Sequence, residues 1–137
     1  MATLVPRKIS ELSIKEVLSD CNTDGDNFYN SGVEFVKFVN DHASAHYDIV
    51  LTPGVATVST PVHGTVTKSA TTIVLEDSQE AYVGPFKQGV WSGSDNKITI
   101  TYDVNADSPT GTGGQAISTI SSGVHALKAE LLFLDPK

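Results

Sequence analysis

Short apolar runs separated by turn-forming residues dominate the chain from Phe28 onward. The runs are rich in Val, Ile, Thr and aromatic residues, and clusters of Gly, Pro, Asn, Asp and Ser interrupt them about every 8–12 residues. Alternation is clearest over 97–103, where Ile98, Ile100 and Tyr102 point one way and polar side chains point the other. The pattern predicts strands at 33–39, 46–51, 55–60, 62–67, 71–75, 80–83, 97–103 and 124–134.

These strands predict one all-β domain over residues 25–137. No helical pattern separates them, as an α/β sheet would require, so we expect an antiparallel β-sandwich or a jelly-roll-like fold. The outward face of the last strand changes from Lys128 and Glu130 to Leu132 and Leu134, so a second sheet or another chain should cover its end. The side chains expected in the core are Ile98, Ile100, Leu131 and Phe133.

Residues 1–24 lack β alternation and are predicted to form an N-terminal arm outside the sandwich. Ser10 or Ser13 is placed to cap a short helix, since Glu16 follows Ser13 at the capping-box spacing. A helix of about two turns is marginal alone, so the arm needs a surface to lie against; a frayed terminus is the alternative. The candidate contact residues toward a neighbouring subunit are Leu4, Val5, Arg7, Ile9, Leu12, Val17 and Leu18.

The stretch 104–123 is a second candidate for contact with a neighbour. It is rich in Thr, Ser and Gly, and it is much longer than the usual connection of about 4–6 residues. We expect an extended surface loop that reaches an adjacent subunit, with a solvated loop that has no role as the alternative.

Charge and composition exclude several classes of function. The chain has 137 residues, of which 39% are hydrophobic, and 9 Lys and Arg against 16 Asp and Glu give a net charge of -7. An acidic protein repels phosphate, so we expect neither nonspecific nucleic-acid binding nor docking on an anionic membrane. No apolar run approaches the roughly 20 residues of a membrane helix, and the start has no secretory h-region. The single cysteine, Cys21, excludes an intrachain disulfide.

The segment Asp20-Cys21-Asn22-Thr23-Asp24-Gly25-Asp26 matches the first half of an EF-hand calcium loop. The second half fails, because Ser31 stands where a bidentate Glu is required and Asn27 where an apolar residue is expected. Asp, Asn and Gly are also the usual turn residues, so we interpret the segment as a structural turn, with calcium binding as the alternative. The histidines have no spacing typical of a zinc site; they are His42, His46, His63 and His125.

No pattern of catalytic residues emerges from the sequence. There is no G-x-S-x-G nucleophile elbow, and Gly111-Thr112-Gly113-Gly114 lacks the Lys-Ser/Thr that a phosphate loop requires. We therefore expect a noncatalytic protein without a metal or cofactor. A sugar-binding platform is one alternative for the aromatic residues, although core packing is the simpler interpretation. The residues concerned are Trp91, Tyr82, Phe86 and Tyr102.

Six short segments follow one another in a distinctive order. They are Asp24-Gly25-Asp26-Asn27-Phe28, Glu34-Phe35-Val36-Lys37-Phe38-Val39-Asn40, Ile49-Val50-Leu51-Thr52-Pro53-Gly54, Val83-Gly84-Pro85-Phe86, Ile98-Thr99-Ile100-Thr101-Tyr102 and Ala126-Leu127-Lys128-Ala129-Glu130-Leu131. In this order they resemble a family of small virion proteins of tailed bacteriophages, encoded among head-assembly genes. The match covers roughly residues 24–134. The sequence departs from the family pattern in its longer N-terminal segment, in the 104–123 loop and in its lack of an early second Pro after Phe86.

The resemblance implies a noncatalytic capsid decoration, or cement, protein that binds and stabilises the head lattice. Its partner would be the major capsid protein, and self-association, for example as a trimer, would accompany attachment. Assembly would take place in the host cytoplasm and leave the protein in the virion head. The alternatives are another virion component such as a head-tail connector or tail protein, a carbohydrate-binding β-sandwich module, and a small enzyme of unrecognised kind.

Overall fold

The computed structural model describes residues 2–9, 18–22, 24–42, 44–54, 57–62, 64–67, 69–91, 95–104 and 127–133. Within these ranges the chain forms twelve strands and one short helix. The strands are β1 Ala2–Thr3, β2 Arg7–Lys8, β3 Ser19–Asp20, β4 Asp26–Tyr29, β5 Glu34–Asn40, β6 Tyr47–Thr52, β7 Thr57–Thr60, β8 Gly64–Thr67, β9 Thr71–Leu75, β10 Glu80–Val83, β11 Lys97–Val104 and β12 Leu127–Phe133, and the helix is α1 Gln88–Trp91. None of the helical segments in the described part is long and apolar enough to cross a membrane.

Two sheets pack against each other and enclose the core. Sheet A has the strand order β1-β4-β11-β6-β9, and sheet B has the order β10-β5-β12-β2, with β3 pairing with the same strand β12. The described ladders are antiparallel except for β1 with β4 and β2 with β12, which are parallel. Strands β7 and β8 form a separate antiparallel hairpin. This architecture confirms the predicted all-β sandwich.

The core is built from the alternating residues that the two sheets turn toward each other. Ile98 and Ile100 on β11 and Leu131 on β12 are buried, as the sequence pattern predicts. Phe133 is only half-buried, because it is the last residue of β12 and pairs with the first residue of β5 at the rim of the sheet. The outward-facing Leu132 is 5% exposed, in agreement with the expectation that the end of β12 is covered on both faces.

Strand positions follow the sequence pattern closely. Strands β9 and β10 match their predicted ranges, and β5, β6 and β11 differ from theirs by one residue at an end. The predicted strand ends at 55, 124 and 134 lie outside the described residues. The predicted turn after Asp20 is followed at once by an additional strand, β4, which the pattern missed because its alternation covers only four residues.

The N-terminal segment differs from the expected arm wherever the structure describes it. Strands β1, β2 and β3 each pair with a strand of the sandwich, so the lack of β alternation in residues 1–24 was misleading. Two-residue strands are held by main-chain hydrogen bonds and leave no periodic signal in the side chains. The helix expected after Ser10 or Ser13 lies outside the described residues, as does the 104–123 loop beyond Val104.

Asn40 joins three parts of the sandwich at the end of β5. Its side-chain amide donates to the carbonyl oxygens of Ala45 (2.8 Å) and Glu76 (2.9 Å), and its Oδ1 accepts from the His42 amide (3.0 Å). The side chain is fully buried, so these bonds replace water that it loses on folding. Asn40 thereby fixes the approach to β6 and the exit from β9.

Gly84 lies directly against the backbone of β5 as the chain leaves β10. Its φ is +124°, and a Cβ at this position would lie 2.9 Å from the carbonyl oxygen of Glu34 and from Cα of Phe35. The Gly84-Pro85 peptide bond is cis. Phe86 then enters the core, where its ring packs on Phe28 with centroids 5.6 Å apart.

Candidate interaction site

Residues 2–9 form a strap that crosses from one sheet of the sandwich to the other. Its first part, β1, pairs with β4 of sheet A, where Thr3 Oγ1 donates to Asn27 Oδ1 at 2.8 Å. Its last part, β2, pairs with β12 of sheet B, and the Ile9 amide donates to the Phe133 carbonyl oxygen at 2.9 Å. The strap therefore closes one open side of the sandwich.

Leu4 and Val5 are neighbouring apolar residues in the middle of the strap, and their side chains face in different directions. Leu4 is half-buried and packs against the core, and its amide donates to the Asn27 carbonyl oxygen at 2.7 Å. Val5 is 78% exposed. Leu4 thus anchors the strap, while Val5 presents an apolar side chain to whatever approaches this side of the protein.

Arg7 fixes the strap electrostatically. Its guanidinium forms an ion pair and hydrogen bond with the carboxylate of Glu130 on β12. The Glu130 side chain is buried, and the register places Lys37 of β5 directly opposite on the same face of sheet B. A buried carboxylate needs such partners, since removing one leaves an uncompensated charge in the protein.

A cleft of about 280 Å³ lies between the strap and β12. One edge of β12 pairs with β5. The opposite edge pairs with β3 at one end, where Asp20 lies opposite Lys128, and with β2 at the other end. The cleft opens between these two short strands. Its walls are formed by Thr3, Leu4, Val5, Arg7, Ser19, Asp20, Asn22, Asp26, Ala129, Glu130 and Leu131.

A polar cluster centred on the buried Asp26 forms part of the wall of the cleft. Asp26 is fully buried and accepts hydrogen bonds from the Tyr102 hydroxyl (2.8 Å) and from the Asn22 side chain (2.8 Å) and backbone amide (3.2 Å). Burial raises the pKa of the neighbouring Cys21 thiol to about 12 and also raises the pKa of Tyr102. These bonds tie the end of the β3 segment to sheet A.

The residues that match the first half of a calcium loop make hydrogen bonds that differ from those in an EF-hand. The Asn22 side chain, which would be a ligand in such a loop, donates to Asp26 instead. Across the described ranges, no three His, Cys, Asp or Glu side chains form a group that could hold a metal ion. His46 Nε2 contacts Asp77 Oδ1 at 3.1 Å, and His42 Nδ1 accepts from the backbone amides of Ser44 and Ala45. His63 and His125 lie outside the described residues.

The aromatic residues considered for a sugar platform do not come together on the surface. Phe86 and Tyr102 are buried, which confirms the core-packing interpretation for both, and Trp91 packs edge-on against Phe86 with centroids 5.3 Å apart. Tyr82 alone of the four is widely exposed, at 62%. Its ring contacts Phe35, and Lys37 Nζ lies 5.6 Å from its centroid. Tyr82 therefore belongs to the outer face of sheet B.

The structure describes five of the seven predicted contact residues and places them in two settings. Val5 is exposed, whereas Leu4, Arg7, Ile9 and Leu18 are half-buried against the sandwich. Leu12 and Val17 lie outside the described residues, as the chain between Ile9 and Leu18 is not described. The sequence analysis did not single out Glu130, because the alternation of residues in β12 indicated only that this residue faces outward. The pairing of Glu130 with Arg7 depends on the position of the strap.

Comparison with known proteins does not identify a relative. No family model, curated protein or solved structure matches this chain.

Proposed function

We propose that this protein is a noncatalytic decoration, or cement, protein of a tailed-bacteriophage capsid. It binds the lattice of the major capsid protein and stabilises the head, after assembly in the host cytoplasm. The resemblance described from the sequence supports this role, and its segments make up much of β4, β5, β6, β11 and β12, the framework of the two sheets.

The observation that carries the proposal is the exposed Val5 at the crossing of the strap. Val5 lies on a segment that is hydrogen-bonded to both sheets. A partner can therefore bury this side chain with little further loss of conformational entropy. Arg7 already has its partner in Glu130, so apolar burial at Val5, and not a salt bridge from Arg7, contributes the attachment energy at this position.

The outer face of sheet A carries both polar and apolar exposed side chains. Thr52, Thr72 and Thr101 are exposed on neighbouring strands of this face. Tyr29 and Val74 are exposed on the same face, so this face is not a uniformly hydrated side.

Binding to undecorated heads tests the proposal. Undecorated heads of the phage that encodes the protein are mixed with wild-type protein or with Val5→Asp, and the bound fraction is measured by co-sedimentation. We expect wild-type protein to bind and Val5→Asp to lose most of its binding, because a charge at a buried contact is costly.

A matched control exists at Val62, which is 83% exposed in the turn between β7 and β8. Val62→Asp introduces the same charge far along the chain from the strap and should bind like wild type. Equal binding of both variants would show that the strap is not part of the interface with the head. Absence of wild-type binding to heads would contradict the decoration role, and binding to isolated tails or connectors would assign the protein to those parts.

A further inference from the structure

We propose that β9, Thr71–Leu75, is the contact strand of a symmetric dimer, in which its free edge pairs antiparallel with the same edge of a second copy. The sheets A of the two copies then form one continuous sheet across a two-fold axis at Ile73. This inference concerns the protein alone and does not depend on the proposed attachment to a capsid.

In the described part of the chain, the other outer edges of the sandwich are protected against such pairing. On the strap side the sheets end in β1, β2 and β3, which contain two residues each, and β2 carries Arg7 and Lys8. On the opposite side sheet B ends in β10, which carries Glu80 and is followed by Gly84 and Pro85. Very short strands, charges and prolines are the usual means by which a sheet edge avoids another chain.

Strand β9 has none of these protections. It pairs with β6 on one side, and no described strand pairs with its other edge. Its sequence, Thr-Thr-Ile-Val-Leu, has no charge, proline or glycine, although the whole chain has a net charge of -7. Val74 is 53% exposed, and Ile73 is only half-buried where it packs against the core. This edge therefore presents apolar surface together with main-chain groups that can bind an added strand.

The main-chain N–H and C=O groups of Thr72 and Val74 lie on the free edge of β9. Successive residues of a strand direct these groups to opposite edges. The Asn27 carbonyl oxygen accepts from the Leu4 amide on the β1 side of β4. Following the alternation from there through β11 and β6 turns the groups of the odd-numbered residues of β9 toward β6. The groups of Thr72 and Val74 therefore point away from the sheet.

This edge is complementary to itself, which identifies a second copy as the occupant. With the axis at Ile73, Thr72 lies opposite Val74 of the partner subunit, and each of the two equivalent pairs exchanges both of its main-chain hydrogen bonds. The half-buried Ile73 meets its own counterpart and covers the open side of the core. Glu76 lies opposite Ala70 of the partner subunit, so two acidic chains meet here without a pair of like charges along the edge.

A single cysteine at the axis tests the pairing and its register. The side chain at Ile73 faces its own counterpart in a non-hydrogen-bonded pair, where the Cα atoms lie about 4.5 Å apart, within the range of a disulfide. Val74 lies diagonal to its counterpart at about 7–8 Å, beyond that range. Under mild oxidation we expect a disulfide-linked dimer from Ile73→Cys and much less from Val74→Cys, although Val74 is the more exposed residue. Wild-type protein, whose Cys21 is buried, should give none.

Equal crosslinking of Ile73→Cys and Val74→Cys would overturn the proposal, because collisions would then explain both products. Absence of a linked dimer from Ile73→Cys at high protein concentration would overturn it as well.

Sedimentation equilibrium tests the association without a covalent bond. We expect the mean mass of wild-type protein to rise from the 14.5 kDa of one chain toward twice that value as its concentration increases. Val74→Lys places a charge on the edge strand and should keep the mass of one chain. It should remain folded, because Val74 is exposed and Asp48 lies opposite it on β6. The matched control is Thr101→Lys, which adds the same charge to the exposed face of the central strand β11 and should associate like wild type.

A Val74→Lys protein that associates as strongly as Thr101→Lys would overturn the proposal. Wild-type protein that keeps the mass of one chain at every concentration would also overturn it, in favour of an extended segment of a different protein as the occupant of the β9 edge.

Discussion

Tyr102 donates its hydroxyl hydrogen to Oδ2 of Asp26 at 2.8 Å in the interior of the sandwich, where neither residue is more than 2% exposed. The two residues lie on adjacent strands of sheet A, β11 and β4, and both point toward sheet B. The same Asp26 holds Asn22 behind β3. One buried carboxylate therefore joins the centre of sheet A to a segment that pairs with sheet B.

Removing the Tyr102 hydroxyl should destabilise the protein. Tyr102→Phe leaves Asp26 buried with one donor fewer, so we expect the free energy of unfolding to fall by about 1–3 kcal/mol in urea denaturation. Tyr82→Phe makes the same chemical change at a tyrosine that is 62% exposed and should stay within about 0.5 kcal/mol of wild type. Equal effects at the two sites would contradict the role of the buried bond.

A methyl group at Gly84 should not be tolerated. Gly84→Ala combines an unfavourable positive φ with a Cβ 2.9 Å from the β5 backbone, so we expect a loss of more than about 1 kcal/mol in thermal or urea unfolding. Gly89→Ala in α1 is the matched control, because a Cβ there meets nothing within 4 Å. A Gly84→Ala protein as stable as Gly89→Ala would show that β10 and β5 do not approach as described.

Acid should weaken the turn between β4 and β5. Burial alone would raise the pKa of Glu34, but hydrogen bonds from the Ser31 amide (2.7 Å) and hydroxyl (2.6 Å) outweigh it and leave the pKa below its usual value. The stabilisation by the carboxylate is therefore present above the unfolded-state pKa of about 4.3 and is lost as the pH falls through the lower folded-state pKa.

The Glu34→Gln variant tests this pH dependence. Its free energy of unfolding should lie below that of wild type at pH 7, and the difference should shrink as the pH is lowered below about 4. Glu76→Gln, at an exposed position, should show no comparable difference at pH 7. A Glu34→Gln difference that stays constant from pH 7 to acid would contradict the assigned role.

The Cys21 thiol should be unreactive in the folded protein. Burial raises its pKa to about 12, so at pH 8 the folded state contains almost no accessible thiolate. We expect reaction with a disulfide reagent such as DTNB only at the rate at which the protein unfolds, and complete reaction in denaturant. Rapid labelling of the native protein would show that the segment around β3 opens without global unfolding.

The same raised pKa predicts the direction of the alkaline response. A group whose folded-state pKa lies above its unfolded-state value stabilises the folded protein fully below the unfolded-state pKa, about 8.5 for Cys, and this contribution is lost as the pH rises above it. Cys21→Ala should therefore show a smaller fall in stability between pH 8 and pH 10 than wild type, as measured by urea unfolding.

Long alternating strands were predictable from the sequence because burial on one face leaves a period of two residues. The β11 residues Ile98, Ile100 and Tyr102 are the clearest example, and all three are buried. Phe133 continues the pattern of β12, yet it is only half-buried, since alternation identifies a face and not the distance from the end of a strand.

The strap was not predictable in the same way. Its strands β1 and β2 contain two residues each, and their position depends on main-chain bonds to β4 and β12, which are distant in the sequence. Apolar content alone suggested contact with a neighbouring subunit, and it did not distinguish Leu4, which packs on the core, from Val5, which is exposed. That distinction depends on which side of the strap faces the core where the strap passes from sheet A to sheet B.

The decoration role is tested most directly by counting how many copies of the wild-type protein bind to one undecorated head at saturation. A protein that binds the lattice should saturate at a fixed ratio to the major capsid protein, because every equivalent lattice site takes it up. Absence of saturable binding would contradict the account, as would a copy number limited to one ring at a single vertex, which belongs to a connector.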